Sequence, residues 1–319
     1  MISDIKLWLC ASRIYTSPMT IMSWLVIFSY SLTKGGNILY GLFALLGICL
    51  AHFATNVFDD YIDFKTLEKS KFVTNKKNGK CKYLLNNSAT LNEVLIIFLA
   101  YSIIASCIGL FFLIKVGLGV LIFGGIGALI ILLYPFLGKF RLCELAVGLA
   151  YGPALFGGVY YVMTGKFDIE CLIISIPTMI LTINLLYTST ILDFDNDIKD
   201  KKKTFANSFK TITEGLKYQK LLIILGYLSI FLLGIFDIGD WQIFLTYLTI
   251  PLAINLINSL NEYIQDKEKI PERKFFNFPM ENWDRLVQEG SAGFMFRMYQ
   301  ARNLMIYFSI ILSISFLFG

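Results

Sequence analysis

Charged side chains are scarce in this chain. Of its 319 residues, 16% are charged and 56% are hydrophobic. A soluble domain of this length needs far more polar residues to cover its surface, so the composition indicates that the lipid bilayer is the solvent. The net charge of +5 does not indicate a nucleic-acid partner, because long apolar runs separate the basic residues. We therefore expect an integral membrane protein that binds no nucleic acid.

Histidine and cysteine are too sparse for the common transition-metal sites. The chain has a single histidine, His52, and its six cysteines form no CxxC or Cys/His pair at metal-binding spacing. Structural zinc sites and haem attachment motifs require such spacing. The pattern therefore predicts free thiols and argues against zinc and haem.

Mostly apolar runs recur nine times along the chain, at a length suited to a hydrocarbon core of about 30 Å. A backbone in lipid must satisfy its amide groups within its own segment, so these runs predict helices. The predicted fold class is all-α, a polytopic membrane protein formed by a single domain, 1–319, with about nine transmembrane helices. The predicted spans are 18–33, 38–56, 93–114, 116–137, 142–163, 171–192, 218–236, 241–260 and 302–318.

Lysine and arginine are unevenly divided between the two ends of the predicted bundle. The loops at one end hold only Lys34, Lys115 and Lys166 of the 28 basic residues. Basic loops stay on the cytoplasmic side of a membrane, so the other end is predicted to be cytoplasmic, in a bacterial cytoplasmic membrane. That end comprises the N-terminus and the loops 57–92, 138–141, 193–217 and 261–301.

Two acidic motifs follow the second and the sixth predicted helix, and so emerge at the same end of the bundle. Residues 56–63 read NVFDDYID, and residues 193–200 read DFDNDIKD. Positions i, i+4 and i+7 of a helix lie within about 60° of one another, whereas Asp195 points about 200° away from Asp193. Three oxygen ligands therefore share one helical face in each motif: Asn56, Asp60 and Asp63, and Asp193, Asp197 and Asp200.

Carboxylates grouped in this way repel one another unless a cation joins them. Mg²⁺ prefers oxygen ligands and is commonly shared between carboxylates and substrate phosphates. Two facing motifs therefore predict a site for a diphosphate bridged by Mg²⁺, with basic side chains neutralising the remaining phosphate charge. The alternative is that both motifs are ordinary acidic helix ends in solvated loops. The basic candidates at this end are Arg13, Lys139, Arg141, Lys202 and Lys203.

The sequence resembles the UbiA superfamily of intramembrane prenyltransferases, in particular its menaquinone branch, the 1,4-dihydroxy-2-naphthoate prenyltransferases. Residues 55–63 look like that branch's TNxxNDYxD, with Asp59 at the second Asn. Residues 193–204 are similar to its DxxxDxxxGKxT, and residues 13–18 to its RPxTxP. The stretch from Tyr134-Pro135 through Glu144 to 151–165 resembles the family's central hairpin.

This resemblance implies a helical bundle around a central cavity, with Mg²⁺-dependent loss of diphosphate from an allylic prenyl diphosphate. Arg13, Lys139, Arg141 and Lys202 are the expected diphosphate-binding residues. Asp60, Asp63, Asp193 and Asp197 are expected to act in catalysis. The expected metal ligands are Asn56, Asp59, Asp60, Asp63, Asp193, Asp197 and Asp200.

A prenyl carbocation is stabilised by the faces of aromatic rings, by about 0.5–2 kcal/mol per ring. Tyr134 and Tyr151 are the catalytic candidates for this role, with Tyr61 and Tyr187 as further ones. His52, Glu144 and Asn184 are candidates for binding a small aromatic acceptor. The alternatives are membrane-interface or packing aromatics, a Glu144 salt bridge, and polar side chains that join helices by hydrogen bonds.

The loop 261–301 mixes phenylalanines and a tryptophan with arginines, which is typical of an amphipathic segment at the membrane interface. A cytoplasmic lid over the active site is the alternative. Three functions stay open: an aromatic prenyltransferase, a UbiA-type terpene cyclase that uses the same diphosphate without an acceptor, and a transporter. Departures from the branch pattern at 141–144 and 190–191 keep the cyclase open. Acidic residues at helix ends, rather than midway through spans, count against the transporter.

Overall fold

The computed structural model describes residues 5–66, 81–267 and 269–319, without the side chains of Ile5, Lys6 and Lys82. The described part is helical and contains no strand. Its helices are α1 (Ile5–Ala11), α2 (Pro18–Thr33), α3 (Ile38–Thr66), α4 (Lys82–Leu85), α5 (Leu91–Val116), α6 (Gly119–Leu137), α7 (Cys143–Leu149), α8 (Leu155–Thr164), α9 (Ile169–Leu192), α10 (Phe194–Lys199), α11 (Ile212–Ile235), α12 (Ile250–Gln265), α13 (Trp283–Gln288) and α14 (Ala292–Phe318).

The predicted all-α membrane fold is confirmed. Eight helical segments of the described residues are long and apolar enough to cross a membrane. The first predicted span corresponds to α2, which has 16 residues and is shorter than those eight. The central cavity that the resemblance implies stays a prediction, and so does the orientation of the N-terminus.

Local sequence signals explain several helix boundaries. Pro18 stands at the first position of α2, where its missing amide hydrogen is no loss. Thr90 and Glu93 form a capping box at the start of α5, which satisfies two amide groups that the helix leaves unpaired. Within the fifth predicted span, a π-helical turn at Ala150–Ala154 separates α7 from α8, and Pro153 lies inside that turn.

Small residues let the helices approach closely. A side chain at Gly157 would meet the ring of Phe123 at 2.1 Å, and one at Gly119 would meet the Tyr161 ring at 2.4 Å. Helix interfaces in membranes are commonly built in this way, because close backbone approach supplies dispersion contacts that lipid cannot replace. The helices α6 and α8 therefore pack through glycine on both sides.

Two contacts fix which helix ends lie together. The Asn37 amide, just before α3, donates to the Met163 carbonyl at the end of α8, at 2.8 Å. The Tyr30 hydroxyl, near the end of α2, donates to Glu170 at the start of α9, at 2.6 Å. The beginnings of α3 and α9 therefore share one end of the bundle. Both helices cross it, so the two acidic motifs are both at the opposite end of the bundle, which we call the motif end.

Two predicted loops are partly helical. The acidic residues of 56–63 lie within α3, which continues to Thr66, so the loop 57–92 is shorter than predicted. Likewise α12 extends to Gln265 and α14 already begins at Ala292, which reduces the insert 261–301 to residues 266–291. The apolar pattern ends at the charged residues, but the three helices continue because protein contacts satisfy charges in them.

Candidate active site

The first acidic motif lies on α3 with its central carboxylates buried. Asp60 is 1% exposed. Its Oδ1 accepts a hydrogen bond from the Arg13 guanidinium, and its Oδ2 accepts one from the Tyr83 hydroxyl at 2.9 Å. Arg13 also contacts Asp59 Oδ2 at 3.3 Å. The motif thus holds two buried carboxylates and one cationic side chain, which comes from a different part of the chain.

The negative charges of Asp60 and Asp59 hold the Arg13 guanidinium at the first motif. Burial alone would lower the pKa of its guanidinium, but the nearby charges of Asp60 and Asp59 outweigh that effect and raise the pKa well above its usual value. Burial, followed by the Asp60 charge, raises the pKa of Tyr83 as well. Arg13 therefore stays charged and Tyr83 stays a hydrogen-bond donor.

The N-terminal segment crosses over the motif and brings further polar groups. The Asn56 Nδ2 donates to the Ser12 carbonyl at 2.9 Å and to the Thr16 hydroxyl at 3.2 Å. Arg13 adopts a left-handed backbone conformation with φ 48°, which turns the chain between α1 and the following 3₁₀ turn. The N-terminal segment therefore contacts Asn56 through Ser12 and Thr16, and Asp60 through Arg13.

His52 lies one helical turn before Asn56 and is enclosed by hydroxyl groups. Its Nε2 is 3.0 Å from the Thr16 hydroxyl, and its Nδ1 is 2.6 Å from the Thr20 hydroxyl. The ring of Tyr151 stands edge-on to it, with ring centroids 5.6 Å apart. The structure thus brings together two predicted site residues, His52 and Tyr151, beside the first motif.

The second motif continues from the end of α9 into α10. Asp193 lies between the two helices, and the Asp197 amide donates to its carbonyl at 2.8 Å, so both residues sit one helical turn apart. Asp197 is 3% exposed. The Lys202 amino group lies 3.4 Å from Oδ1 of Asp197. The buried Oδ2 of Asp197 has no hydrogen-bond partner among the described residues. Burial and the charges of Asp193 and Asp200, opposed by Lys202, raise the pKa of Asp197 to about 6.

Asp195 and Asp197 have different lysine partners. The Asp195 carboxylate forms an ion pair with Lys267, just after α12. Both side chains are more than two-fifths exposed, so this pair contributes little to stability. The pair nevertheless shows that one side of α10 faces the segment 266–291, away from the carboxylates of Asp193 and Asp197.

The remaining predicted residues fall into two groups. Glu144 is buried at the start of α7 and interacts with the Thr190 hydroxyl, the Phe205 backbone and Lys202, which links it to the second motif. Asn184 accepts a hydrogen bond from Gln219 at 3.3 Å between α9 and α11, and this favours its helix-packing alternative. Lys139 and Arg141 are exposed after α6, and Tyr134 is half-buried near the end of that helix.

Sequence reasoning missed the residues that surround the motifs from elsewhere in the chain. Tyr83 is one of them, and the hydroxyls of Thr16 and Thr20 are others. No spacing rule relates them to the acidic residues, because each contact depends on how separate segments fold over α3. The one sequence signal for these contacts was Thr16, which belongs to the N-terminal motif at residues 13–18.

The donor set suits a hard cation, although the described residues alone do not enclose one. No group of three or more His, Cys, Asp or Glu side chains in the described ranges is close enough to hold a metal ion. The buried Oδ2 of Asp197 has no hydrogen-bond partner among the described residues, and a cation would satisfy it, since an unsatisfied buried carboxylate oxygen is unfavourable. Arg13 supplies such a charge at the first motif. These residues fit Mg²⁺, which prefers carboxylate oxygens and phosphate.

Comparison with known proteins decides the family. The sequence profile of the UbiA prenyltransferase family matches residues 20–280, a range that contains both acidic motifs. The chain belongs to the UbiA prenyltransferase family. A search of curated proteins finds no match, so the branch within the UbiA family is not identified by a relative.

Solved structures of similar fold agree with this assignment. A digeranylgeranylglyceryl phosphate synthase shares 14% identity over 99% of both chains, with a TM-score of 0.59. A UbiA homologue from Archaeoglobus fulgidus, bound to GPP and Mg²⁺, shares 15% identity over 93% of this chain and 99% of its own, with a TM-score of 0.58. The same homologue bound to DMAPP and Mg²⁺ gives a TM-score of 0.58 as well. At these identities the similarity shows the fold alone.

Proposed function

We propose that this UbiA family member transfers a prenyl group from an allylic prenyl diphosphate to an acceptor within the membrane, and that it requires Mg²⁺. The observation that carries the proposal is the pairing of two acidic motifs at one end of the bundle. One motif keeps a buried carboxylate oxygen of Asp197 unpaired, and the other binds a cationic side chain. The relatives bound to GPP or DMAPP with Mg²⁺ support this proposal.

The expected ligands divide between the motifs. Asn56, Asp59, Asp60 and Asp63 serve the first motif, and Asp193, Asp197 and Asp200 the second. When bound, Mg²⁺ neutralises the charge that develops on the leaving diphosphate.

Basic side chains complete the charge balance. Lys202 already contacts Asp197, and the Lys202 side chain is half exposed, so it can turn towards a phosphate without leaving the motif. Arg13 lies at the first motif with 18% of its side chain exposed. Arg13 and Lys202 each contact a carboxylate of a motif, and their proposed role is to hold the leaving group while the allylic C–O bond breaks.

The prenyl carbocation then has to be kept from water and held against a nucleophile. Tyr151 is positioned for this beside His52, and the two threonine hydroxyls keep the His52 ring oriented. We propose an aromatic acceptor of the 1,4-dihydroxy-2-naphthoate type, on the basis of the sequence likeness to the menaquinone branch. His52 and Glu144 are the proposed acceptor-binding residues.

The decisive experiment uses purified protein in nanodiscs with geranylgeranyl or farnesyl diphosphate and Mg²⁺, with and without 1,4-dihydroxy-2-naphthoate. Diphosphate release that depends on the acceptor supports prenyl transfer. A hydrocarbon or terpene alcohol formed without the acceptor indicates the terpene cyclase instead. If neither diphosphate is consumed under any condition, the proposal fails.

Two aspartates of the same motif provide a matched pair of variants. Asp193→Asn is expected to lower activity by about 100-fold or more, because it removes a carboxylate ligand. Asp195→Asn is expected to retain activity, because Asp195 faces Lys267 and its exposed ion pair contributes little. Equal losses in both variants would contradict the assigned ligand face.

A further inference from the structure

The two oxygens of the Asp60 carboxylate have different surroundings. Oδ2 accepts a hydrogen bond from Tyr83 at 2.9 Å, and Tyr83 is itself 5% exposed. Oδ1 faces Arg13, whose side chain is 18% exposed. Oδ2 is therefore hydrogen-bonded to a buried neutral donor, whereas Oδ1 contacts a partly exposed cation.

Packing holds the Tyr83 hydroxyl in place. Tyr83 lies on the short helix α4 and belongs to a hydrophobic cluster with Val57 and Ala54 of α3 and Ile97 of α5. The neighbouring Cys81 thiol contacts the Asp60 carbonyl at 3.5 Å. A buried tyrosine hydroxyl needs a hydrogen-bond partner, so rotation of the Tyr83 side chain away from Asp60 would break both the packing and that bond.

A metal cation at the first motif would therefore be held from the Oδ1 side. Arg13 bridges Asp60 Oδ1 and Asp59 Oδ2, which shows that positive charge is accommodated between these two residues. Arg13 comes from the N-terminal segment rather than from α3, so it can exchange with another cation without unfolding the motif helix. The partner of Oδ2 cannot be replaced by a cation in the same way, because the Tyr83 hydroxyl is neutral and buried.

We propose that Tyr83 is a positioning residue that leaves only Oδ1 of Asp60 for a divalent cation, and so makes the first motif select Mg²⁺ over Ca²⁺. This inference rests on the proposed function, since it concerns the same metal site. Ca²⁺ favours a larger number of oxygen ligands and often binds both oxygens of one carboxylate, whereas Mg²⁺ requires a compact octahedral arrangement. A carboxylate that presents one oxygen therefore disfavours Ca²⁺.

The test is direct metal binding by purified full-length protein in nanodiscs. Mn²⁺ is titrated and followed by electron paramagnetic resonance, in the presence of geranyl S-thiolodiphosphate, whose bridging sulfur slows ionisation. Mg²⁺ and Ca²⁺ then compete with the bound Mn²⁺. In Tyr83→Phe we expect Mg²⁺ affinity to fall by about 10-fold or more, as for other residues that orient a metal ligand, and the preference for Mg²⁺ over Ca²⁺ to decrease.

Tyr299→Phe is the matched control. Tyr299 is also buried, and its hydroxyl donates to the Glu281 backbone carbonyl at 2.8 Å, so the variant removes a tyrosine hydrogen bond outside both motifs. We expect its preference for Mg²⁺ over Ca²⁺ to equal that of the wild type. A Tyr83→Phe protein that keeps the wild-type preference overturns the inference, even if it is less stable.

Asp60→Asn separates this inference from the proposed function. Loss of Mn²⁺ binding in Asp60→Asn, with unchanged selectivity in Tyr83→Phe, refutes the role of Tyr83 and leaves the metal site intact. Mn²⁺ binding that is identical in Asp60→Asn and the wild type refutes the metal site itself, and the inference about Tyr83 with it.

Discussion

The buried carboxylates at the motif end have few positively charged side chains around them. Arg13 offsets two buried carboxylates at the first motif, whereas Asp197 of the second motif has a single lysine contact that is half exposed. A buried charge is tolerated only when it is paired and hydrogen-bonded. The two motifs therefore differ in how they respond to the loss of a charged group.

Arg13→Gln is expected to destabilise the metal-free protein. Asp59 and Asp60 would lose their counter-ion, at a cost of about 2 kcal/mol, below the value for a fully buried pair because Arg13 is 18% exposed. Added Mg²⁺ is expected to restore part of the loss by binding the same carboxylates. Thermal unfolding in detergent, with EDTA or with Mg²⁺, measures both effects.

Arg285→Gln serves as the control for that measurement. Arg285 forms an exposed pair with Glu289 at 2.8 Å, and such pairs contribute little. The Arg13 prediction is wrong if both variants lower the unfolding temperature equally, or if Mg²⁺ stabilises Arg13→Gln no more than the wild type.

Asp197→Asn is expected to have the opposite effect on the metal-free protein. The fold raises the pKa of Asp197 from 3.8 to about 6, so it favours the protonated form, and ionisation destabilises the native state as the pH rises through that range. The amide removes this penalty, which is on the order of 2–3 kcal/mol. The variant should be more stable than the wild type near about pH 8 and equally stable near about pH 4.

The measurement is unfolding against pH in the presence of EDTA. Asp284→Asn, an exposed aspartate in α13, is the control and should show no such pH-dependent gain. A stability difference for Asp197→Asn that is constant across the pH range would contradict the assigned cause. The same variant should lose activity, since the destabilising carboxylate is the one proposed to bind metal.

At the scale of whole elements, the last helix carries a buried arginine that ties it to its neighbour. Arg297 in α14 is 0% exposed, and its Nε donates to the Ser259 carbonyl of α12 at 2.8 Å. Its guanidinium also lies over the Tyr263 ring, 4.9 Å from the centroid. The Tyr263 hydroxyl in turn donates to the Leu192 carbonyl at 3.2 Å, immediately before Asp193.

Arg297→Ala is therefore expected to loosen the junction of α12 and α14 and to disturb the second motif. Loss of charge-assisted bonds to buried carbonyls costs about 1.5–3 kcal/mol each, so we expect a decrease of several degrees in unfolding temperature together with weaker Mn²⁺ binding. Arg273→Ala, which removes an exposed arginine over Trp283, is the control. Unchanged unfolding and metal binding in Arg297→Ala would refute this role.

The start of α14 is a part of the fold that the sequence did not predict. Apolar runs predicted the helices because lipid requires closed backbone hydrogen bonding, but the last span was predicted to begin at residue 302, ten residues after the start of α14. Hydropathy counts Arg297 as a break. The helix continues through Arg297 because its guanidinium donates to the Ser259 carbonyl of α12.

Part of the candidate site was likewise predictable from the sequence, and part of it was not. The order of the spans was enough to predict that residues 56–63 and 193–200 are at the same end of the bundle. The position of Tyr83 on Asp60 and of Thr16 on His52 was not predictable. Those contacts join segments that are 23 and 36 residues apart, and they depend on side-chain packing rather than on any local pattern.

At the scale of the whole molecule, the remaining prediction concerns orientation in the membrane. The motif end includes residues 138–141, because α7 and α8 run from there to Gly165 at the opposite end. The uneven distribution of lysine and arginine predicts that the motif end is cytoplasmic. Prenyl diphosphates are charged and do not cross a bilayer unaided, so this orientation predicts that the proposed site takes its diphosphate substrate from the cytoplasmic side.

Two exposed lysines at opposite ends allow a direct test. Lys139→Cys and Lys166→Cys are introduced separately after the six native cysteines have been replaced by alanine, and intact cells are treated with a membrane-impermeant maleimide. The cysteine at 166 is expected to react in intact cells, and the cysteine at 139 only after permeabilisation. The reverse pattern would place both motifs outside the cytoplasm and refute the orientation, whereas labelling of both positions in intact cells would refute the bundle geometry that separates them.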